Sequence, residues 1–216
     1  MSDTGEIRRE VAVVTADATL AGELCLPQAA PGIVLFAHGS GSSRLSPRNR
    51  HVAGELVRGG VGTLLFDLLT AAEERRDRLD ASLRFDIGLL TRRLVGATRW
   101  LEQQDWARGL TRGYFGASTG AAAALAASTE CEVRAIVSRG GRPDLAGAAL
   151  PRVRAPTLLI VGSNDPVVID LNQQALAGLR CEARLAIVPG ATHLFEEPGT
   201  LQQVSALATE WFRRWL

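Results

Sequence analysis

The sequence predicts an α/β fold in which a mostly parallel sheet carries helices on both faces. Apolar runs of strand length alternate with helical patterns along almost the whole chain. These runs are apolar throughout rather than in alternation, as in strands that are buried on both faces. No internal repeat, low-complexity tract or long linker divides the 216 residues. We therefore expect one domain over 1–216, built in layers around one sheet.

The elements follow in order from the amino terminus. Apolar and β-branched residues on either side of Ala16-Asp17-Ala18 predict two antiparallel strands, over 7–16 and 19–25, joined by a short turn. Further strands, which bring the sheet to about eight, are expected at 33–37, 61–66, 112–115, 133–138, 157–161 and 183–188. Helical patterns lie near 47–59, 85–105, 119–129, 167–179 and 200–215. Because ligands bind beyond the carboxyl ends of parallel strands, functional residues should follow strands.

Composition excludes several classes of function. Lys and Arg total 24 against 23 Asp and Glu, so no strong net charge favours nucleic acid or a membrane, and we expect a small-molecule partner. All of these basic residues are arginine, which excludes Schiff-base chemistry, a P-loop lysine and a serine–lysine dyad. The three cysteines and three histidines are scattered, so neither a disulfide framework nor a metal or other cofactor is expected.

The amino terminus predicts the location of the protein. Residues 1–10 are polar and charged and lack the apolar core of a signal peptide. No apolar run approaches the roughly 18 residues that would span a bilayer. We therefore expect a cytoplasmic protein, and either a monomer or a homodimer would be compatible with the sequence.

The pentapeptide Gly116-Ala117-Ser118-Thr119-Gly120 predicts a serine nucleophile. It lies between a β-type run, Tyr114-Phe115, and a helix-forming run of small residues, which is the setting of a nucleophile elbow. Such a turn tolerates almost no side chain at its flanks, and glycine occupies both flanking positions. The turn would place the hydroxyl beside the first amides of the following helix, which favour negative charge.

Two later residues complete a candidate triad with the serine. Asp165 comes directly after the apolar run 158–161, and His193 follows the run 185–188. The chain order serine, acid, histidine is the one that this architecture requires. The histidine would take the serine proton, and Asp165 would orient the imidazole. Asp67 also follows a strand and is the alternative acid; otherwise it would cap a loop or helix.

The segment His38-Gly39-Ser40-Gly41-Ser42-Ser43 is expected to stabilise an oxyanion. Its glycines let the backbone come close to a substrate, and the amide of Ser40 would pair with that of Thr119 to hold the developing charge. A phosphate-binding loop is the alternative, but the segment lacks the required Gly-Lys-Ser/Thr ending. His38 precedes the loop, and we expect it to brace the loop through hydrogen bonds to backbone groups.

Three arginines near these segments, Arg44, Arg139 and Arg142, have two interpretations. Arg44 leaves the oxyanion segment, and Arg139 ends the strand next to the elbow strand. Each of the three could hold a substrate carboxylate by bidentate contact. In the alternative, arginines in this region fix loops by pairing with nearby acids. The candidate acids are Asp67, Asp86, Asp144 and Glu197.

Over essentially its whole length the chain resembles the dienelactone hydrolase family of α/β-hydrolases. The matching segments are His38–Ser43, Gly116–Gly120, Gly162–Asp165 and Thr192–Phe195. The resemblance implies an α/β-hydrolase fold with Ser118, Asp165 and His193 in the triad positions. Enzymes named for dienelactone carry cysteine at the elbow, where this chain has serine, and this departure favours ordinary ester chemistry. No insertion is long enough for a cap domain, so we expect an open pocket lined by 67–84 and 139–151.

The predicted function is hydrolysis of small carboxylic esters or lactones through an acyl-enzyme, without cofactor or metal. A thioesterase or an acyltransferase would use the same triad, because only the leaving group and the acceptor differ. The alternative from another class is a small-molecule sensor that has kept the fold and lost the chemistry.

Overall fold

An eight-stranded sheet forms the centre of the protein in the computed structural model, which describes residues 6–216. The strands are β1 (Ile7–Val14), β2 (Thr19–Leu26), β3 (Gly32–Ala37), β4 (Gly62–Phe66), β5 (Thr111–Ala117), β6 (Ala135–Arg139), β7 (Thr157–Gly162) and β8 (Ala183–Val188). Their order is β1-β2-β4-β3-β5-β6-β7-β8. β2 pairs antiparallel with β1 and β4, and all other pairs are parallel. The predicted mostly parallel sheet, opened by an antiparallel hairpin, is confirmed.

Helices cover both faces of this sheet. Within the described residues they are α1 (Pro47–Arg58), α2 (Ala71–Asp80), α3 (Ile87–Glu102), α4 (Thr119–Ala127), α5 (Pro166–Gly178) and α6 (Thr200–Trp215). α1 and α6 pack on one face, while α3, α4 and α5 pack on the other, so the sheet separates two apolar cores. No helix in this part of the chain is long and apolar enough to cross a membrane. The polar amino terminus that predicts the location lies partly outside residues 6–216.

The central strands are mostly apolar in sequence, which favours their place in the middle of the sheet. β3, β6 and β7 are buried at every position, as expected for parallel strands covered on both faces. Phe36 and Phe115 stack across neighbouring strands with ring centroids 4.8 Å apart. In α6, Phe212 is fully buried and Trp211 Nε1 donates to the carbonyl of Pro156 at 3.3 Å. These two aromatic residues of the carboxyl-terminal helix therefore pack on their own sheet.

One helix, α2, is absent from the sequence prediction. Only Asp77 of this helix is buried, so α2 has none of the apolar periodicity on which the other helix predictions rest. The available signal is its amino-terminal cap. The Thr70 hydroxyl accepts the Glu73 N–H, and the Glu73 carboxylate accepts the Thr70 N–H, in a reciprocal capping box.

Candidate active site

A sharp turn between β5 and α4 carries Ser118 at the carboxyl edge of the sheet. Its backbone, with φ 49° and ψ −120°, lies in a region that residues other than glycine rarely adopt. The Ser118 N–H donates to the carbonyl of Arg139 at 3.2 Å, and the Ser118 carbonyl accepts from Ala121 and Arg142, each at 3.1 Å. These bonds hold the residue in its strained conformation, which persists only because the surrounding structure supports it.

Glycine flanks this serine because there is no room for a side chain. A Cβ atom on Gly120 would overlap the carbonyl oxygens of Ala37 and His38, at the end of β3. A Cβ atom on Gly116 would overlap the backbone of Ala121 in α4. All of these neighbours are backbone atoms, which cannot rotate away as a side chain does. The elbow is therefore packed directly against the strand that leads into the oxyanion segment.

We expect Gly120→Ala to lower the free energy of unfolding by about 3 kcal/mol or more, because α4 and β3 must separate to admit the methyl group. Urea denaturation followed by circular dichroism measures this change. Gly54→Ala is the matched control, because the nearest neighbouring atom to a Cβ there is 3.9 Å away. In the middle of α1 this substitution should stabilise by up to about 1 kcal/mol. Equal stabilities of the two variants would contradict the packing argument.

Asp165 and His193 form a pair after β7 and β8. The His193 Nδ1 lies 2.7 Å from Asp165 Oδ2. The two loops that carry the pair are joined through their backbones, since the Asn164 N–H donates to the carbonyl of Ala191 at 2.9 Å. A Cβ atom on Gly162 would overlap that same carbonyl. The close approach of the loops fixes the carboxylate against the imidazole.

The same edge of the sheet brings His193 towards Ser118. A Cβ atom on Gly140 would lie 3.6 Å from the Cε1 of His193, and Gly140 follows Arg139, whose carbonyl binds the Ser118 N–H. Within residues 6–216, the His193 imidazole is hydrogen-bonded to Asp165 and is not hydrogen-bonded to the Ser118 hydroxyl. Catalytic hydrogen bonds are often loose in a free enzyme and tighten when substrate binds.

Asp67, the alternative acid, is occupied elsewhere. Its Oδ1 accepts the backbone N–H of Arg44, and its Oδ2 accepts from Arg44 Nη1, both at 2.7 Å. The contact ties the segment after β3 to the end of β4. Of the two candidate acids, therefore, Asp165 contacts His193 and Asp67 fixes a loop. For Arg44, the structure favours the loop-fixing interpretation over substrate binding.

The two expected oxyanion donors lie beside the serine. A Cβ atom on Gly39 would be 3.0 Å from the Cβ of Ser118, so the peptide that joins Gly39 to Ser40 approaches Ser118 closely. Thr119 is the first residue of α4, where backbone N–H groups have no partner within the helix. In the described part of the chain, the N–H groups of Ser40 and Thr119 donate to no protein acceptor.

His38 braces the oxyanion segment, as the sequence predicts. Its Nδ1 is 3.0 Å from the Gly39 carbonyl oxygen, and its Nε2 is 2.9 Å from the backbone nitrogen of Leu68. Because the Leu68 N–H can only donate, Nε2 accepts and the proton of the neutral ring lies on Nδ1. Burial lowers the pKa of His38, which keeps the ring neutral.

A cavity of about 230 Å³ lies beside the oxyanion segment. The segment and Thr119 form one wall, and residues of 69–84 together with Leu90 form the other. Residues of the predicted lining 67–84 thus lie at this cavity, whereas Ser118 and His193 are not among its lining residues. The other predicted lining, 139–151, does not reach this cavity, and the 3₁₀ segment Pro143–Arg152 within it packs against α4 and α5.

Asp77 and Arg84 belong to this wall and are not among the site residues that the sequence predicts. Asp77 is buried, and its Oδ1 accepts the backbone N–H groups of Leu83 and Arg84 at 2.8 and 2.9 Å. Its Oδ2 accepts from Arg84 Nε at 2.7 Å. This clamp closes the carboxyl end of α2 and holds the arginine against the cavity. Without α2 in the prediction, no pattern in the sequence brings these two residues together.

Arg139 differs from the neighbouring arginines. Arg142 is paired with Asp144 at 2.8 Å, but Arg139, which is only 8% exposed, has a buried Nη1 without a hydrogen-bond partner in the described structure. Burial and the positive charge of Arg48 lower the pKa of Arg139 to about 10. Among residues 6–216, therefore, no acid pairs with Arg139 as the loop-fixing interpretation would require. Among residues 6–216 there is also no group of three side chains suited to a metal ion.

The strand order, the strained serine at the end of β5 and the acid–histidine pair after β7 and β8 define an α/β-hydrolase. No protein-family model matches the chain. The crystal structure of a dienelactone hydrolase from Anabaena variabilis shares 56% sequence identity and a TM-score of 0.96, over 98% of this chain and 99% of that chain. The chain belongs to the dienelactone hydrolase family. An esterase from Pyrococcus furiosus shares the fold at 18% identity, with a TM-score of 0.78 over 99% of this chain and 93% of its own.

Two curated relatives come from strains of Mycobacterium tuberculosis. Each is 58% identical over 205 residues, which is 94% of this chain and 45% of the relative. The chain thus spans less than half the length of these proteins. Both carry the provisional name of a phosphoribosyl transferase.

Proposed function

We propose that the protein is a serine hydrolase of small carboxylic esters or lactones that acts through an acyl-enzyme. The observation that carries the proposal is a strained serine beside two unpaired backbone N–H groups, on the edge of the sheet that also holds a carboxylate–imidazole pair at 2.7 Å. The similarity to a dienelactone hydrolase over nearly the whole chain supports the same chemistry. No step requires a cofactor or a metal ion.

Each residue has a defined role in the proposed reaction. His193 Nε2 takes the hydroxyl proton as Ser118 Oγ attacks the carbonyl carbon, and Asp165 stabilises the imidazolium. The N–H groups of Ser40 and Thr119 bind the oxyanion. When the tetrahedral intermediate collapses, the imidazolium protonates the leaving alcohol and the acyl-enzyme remains. A water molecule, deprotonated by His193, then releases the acid.

Labelling and turnover test the proposal together. A fluorophosphonate should label the protein stoichiometrically, and a panel of short-chain aryl esters and lactones should be hydrolysed. Ligand binding without labelling or turnover would support a sensor instead. A thioesterase or acyltransferase would also label, and faster turnover of thioesters, or transfer to an added alcohol, would identify it.

The phosphoribosyl transferase name of the mycobacterial relatives is a weak guide to this chain. More than half of each relative lies outside the match, which covers 45% of its length. The strained serine and the acid–histidine pair favour acyl transfer in the part that does match. We therefore assign hydrolase chemistry to the matched part.

Arg139 is the proposed contact for a substrate carboxylate. A buried guanidinium without a counter-ion is costly unless a ligand pairs with it. Arg139 therefore suits an ester whose acyl part carries a second, ionised carboxyl group. Because Arg44 is already paired with Asp67, it contributes to the loop rather than to this contact.

We expect Arg139→Ala to raise KM for para-nitrophenyl hemisuccinate by about 10- to 100-fold, the range for a lost charged hydrogen bond. KM for para-nitrophenyl butyrate, which has the same chain length without the charge, should change little. Steady-state kinetics on both esters measure the difference. Arg142→Ala removes a guanidinium that is already paired with Asp144 and serves as control. Equal losses on the two esters would show that Arg139 only supports the fold.

A further inference from the structure

We propose that His38 is a positioning residue which, by holding the carbonyl of Gly39, aims the N–H of Ser40 at the developing oxyanion. This role rests on the proposed function, since it needs an oxyanion to be formed at Ser118. It goes beyond bracing, because it concerns the direction of one peptide group. The hydrogen bonds of Gly39, the geometry of the peptide that follows and the protonation of the imidazole support this role.

The carbonyl of Gly39 is held by two donors. His38 Nδ1 lies 3.0 Å from the oxygen, and the Ser42 N–H donates to it at 3.2 Å. A carbonyl oxygen has two lone pairs, so both acceptor sites of this group are used. The imidazole of His38 and the N–H of Ser42 therefore fix the direction of the carbonyl together.

The fixed carbonyl determines where the next N–H points. The peptide is planar and trans, so the N–H of Ser40 points away from the carbonyl of Gly39. Gly41 has a φ of 66° at the third position of the turn from Gly39 to Ser42, and Ser40 before it has a negative φ. This is the pattern of a type II turn, in which the N–H of the second residue faces outward. The N–H of Ser40 thus faces away from the turn and finds no protein acceptor within residues 6–216.

The imidazole is suited to this task because it is clamped at both ends. Nε2 accepts the N–H of Leu68, which follows β4, while Nδ1–H reaches the loop that follows β3. The ring therefore sets the position of the oxyanion segment relative to a neighbouring strand. A protonated ring would carry a hydrogen on Nε2 as well. Nε2 could then no longer accept the Leu68 N–H, because both groups would be donors. Burial opposes that state by lowering the pKa of His38.

Two substitutions separate the two contacts of the ring. In His38→Asn the side-chain amide N–H replaces Nδ1–H and keeps the bond to Gly39, whereas in His38→Gln the side-chain carbonyl replaces Nε2 and keeps the bond to Leu68. We expect kcat for a short-chain ester to fall about 100-fold in His38→Gln and less than about tenfold in His38→Asn, with KM nearly unchanged in both. If His38→Asn loses as much kcat as His38→Gln, the contact with Gly39 is not what matters and the proposal is wrong.

Removal of the N–H itself provides a second test. Proline is favoured at the second position of a type II turn, so Ser40→Pro deletes the donor while the turn is retained. We expect kcat to fall by about 10²- to 10³-fold, as for the loss of one oxyanion donor. If His38 acts through this N–H, adding His38→Gln to Ser40→Pro should cause little further loss. Additive losses would show that the two residues act independently and would overturn the proposal.

The unaltered protein offers a test that does not depend on the folding of a variant. The ¹⁵N chemical shifts of the His38 ring should report the tautomer with the proton on Nδ1. A proton on Nε2 would leave Gly39 without its donor and would overturn the proposal. An unaltered protein that is neither labelled nor active would reject the proposed function itself. An active protein with additive His38 and Ser40 losses would reject only the positioning role.

Discussion

Ser118→Ala should lower kcat/KM for short-chain esters by about 10⁵- to 10⁶-fold, the range found when the nucleophile of a serine hydrolase is removed. Without Oγ no acyl-enzyme can form, and only the weak activity supported by the oxyanion donors and by substrate binding remains. Labelling by a fluorophosphonate should disappear as well. Steady-state kinetics and mass spectrometry of the labelled protein measure both effects.

Ser128→Ala is the matched control for this experiment. The Ser128 hydroxyl donates to the carbonyl of Leu125 at 2.7 Å, at the opposite end of α4 from the elbow. Its loss should leave kcat/KM and labelling unchanged. A Ser118→Ala protein that is still labelled at another residue, or that keeps more than about a hundredth of the activity, would remove the basis of the proposed mechanism.

Asp165→Asn should lower kcat by about 10⁴-fold, the effect expected when the acid of a triad becomes an amide. The carboxylate accepts from His193 Nδ1 at 2.7 Å and so keeps the proton on Nδ1 and leaves Nε2 free to act as base. An amide can donate to Nδ1, which favours the opposite tautomer. It also removes the negative charge that stabilises the imidazolium. Single-turnover kinetics would locate the loss in the acylation and deacylation steps.

Asp67→Asn distinguishes the two candidate acids. The variant loses the ion pair with Arg44, which should cost about 1–2 kcal/mol of stability for a partly buried, charge-assisted contact. Its kcat should stay within about tenfold of the unaltered protein, because the Asp67 carboxylate contacts the oxyanion segment and not the imidazole. If the larger loss occurred in Asp67→Asn, the acid of the triad would have to be reassigned.

Most of the fold can be predicted from sequence because its signals are local. Buried parallel strands are mostly apolar, and each predicted strand overlaps an observed one. The exception is α2, which is polar on nearly every face and is held by its cap, by the clamp between Asp77 and Arg84 and by the pairing of Glu73 with Arg93 at 2.6 Å. Hydrophobic periodicity cannot detect a helix whose attachments are polar.

The residues of the candidate site also differ in how far the sequence predicts them, because some depend on local signals and others on distant contacts. The elbow is identifiable from sequence, because a strand, a turn flanked by glycines and a helix follow one another directly. The acids and arginines are different, because Asp67 and Asp165 both follow strands and Arg44 and Arg139 both lie near the loops. Their partners are distant in the chain, as in the 28 residues between Asp165 and His193. A local pattern can therefore name such residues as candidates without assigning their contacts.

The candidate nucleophile, and the kind of sheet that presents it, follow from short stretches of chain whose conformations are set by steric demands on neighbouring residues. Other features depend on how segments far apart in sequence pack together. These are the carboxylate that faces the imidazole, the guanidinium that has no counter-ion among the described residues, and the direction of the Ser40 N–H. Hydrogen bonds form only at donor–acceptor distances of about 3 Å, and the attraction of an ion pair weakens with distance. These contacts therefore exist only once the sheet has brought the segments together at its carboxyl edge.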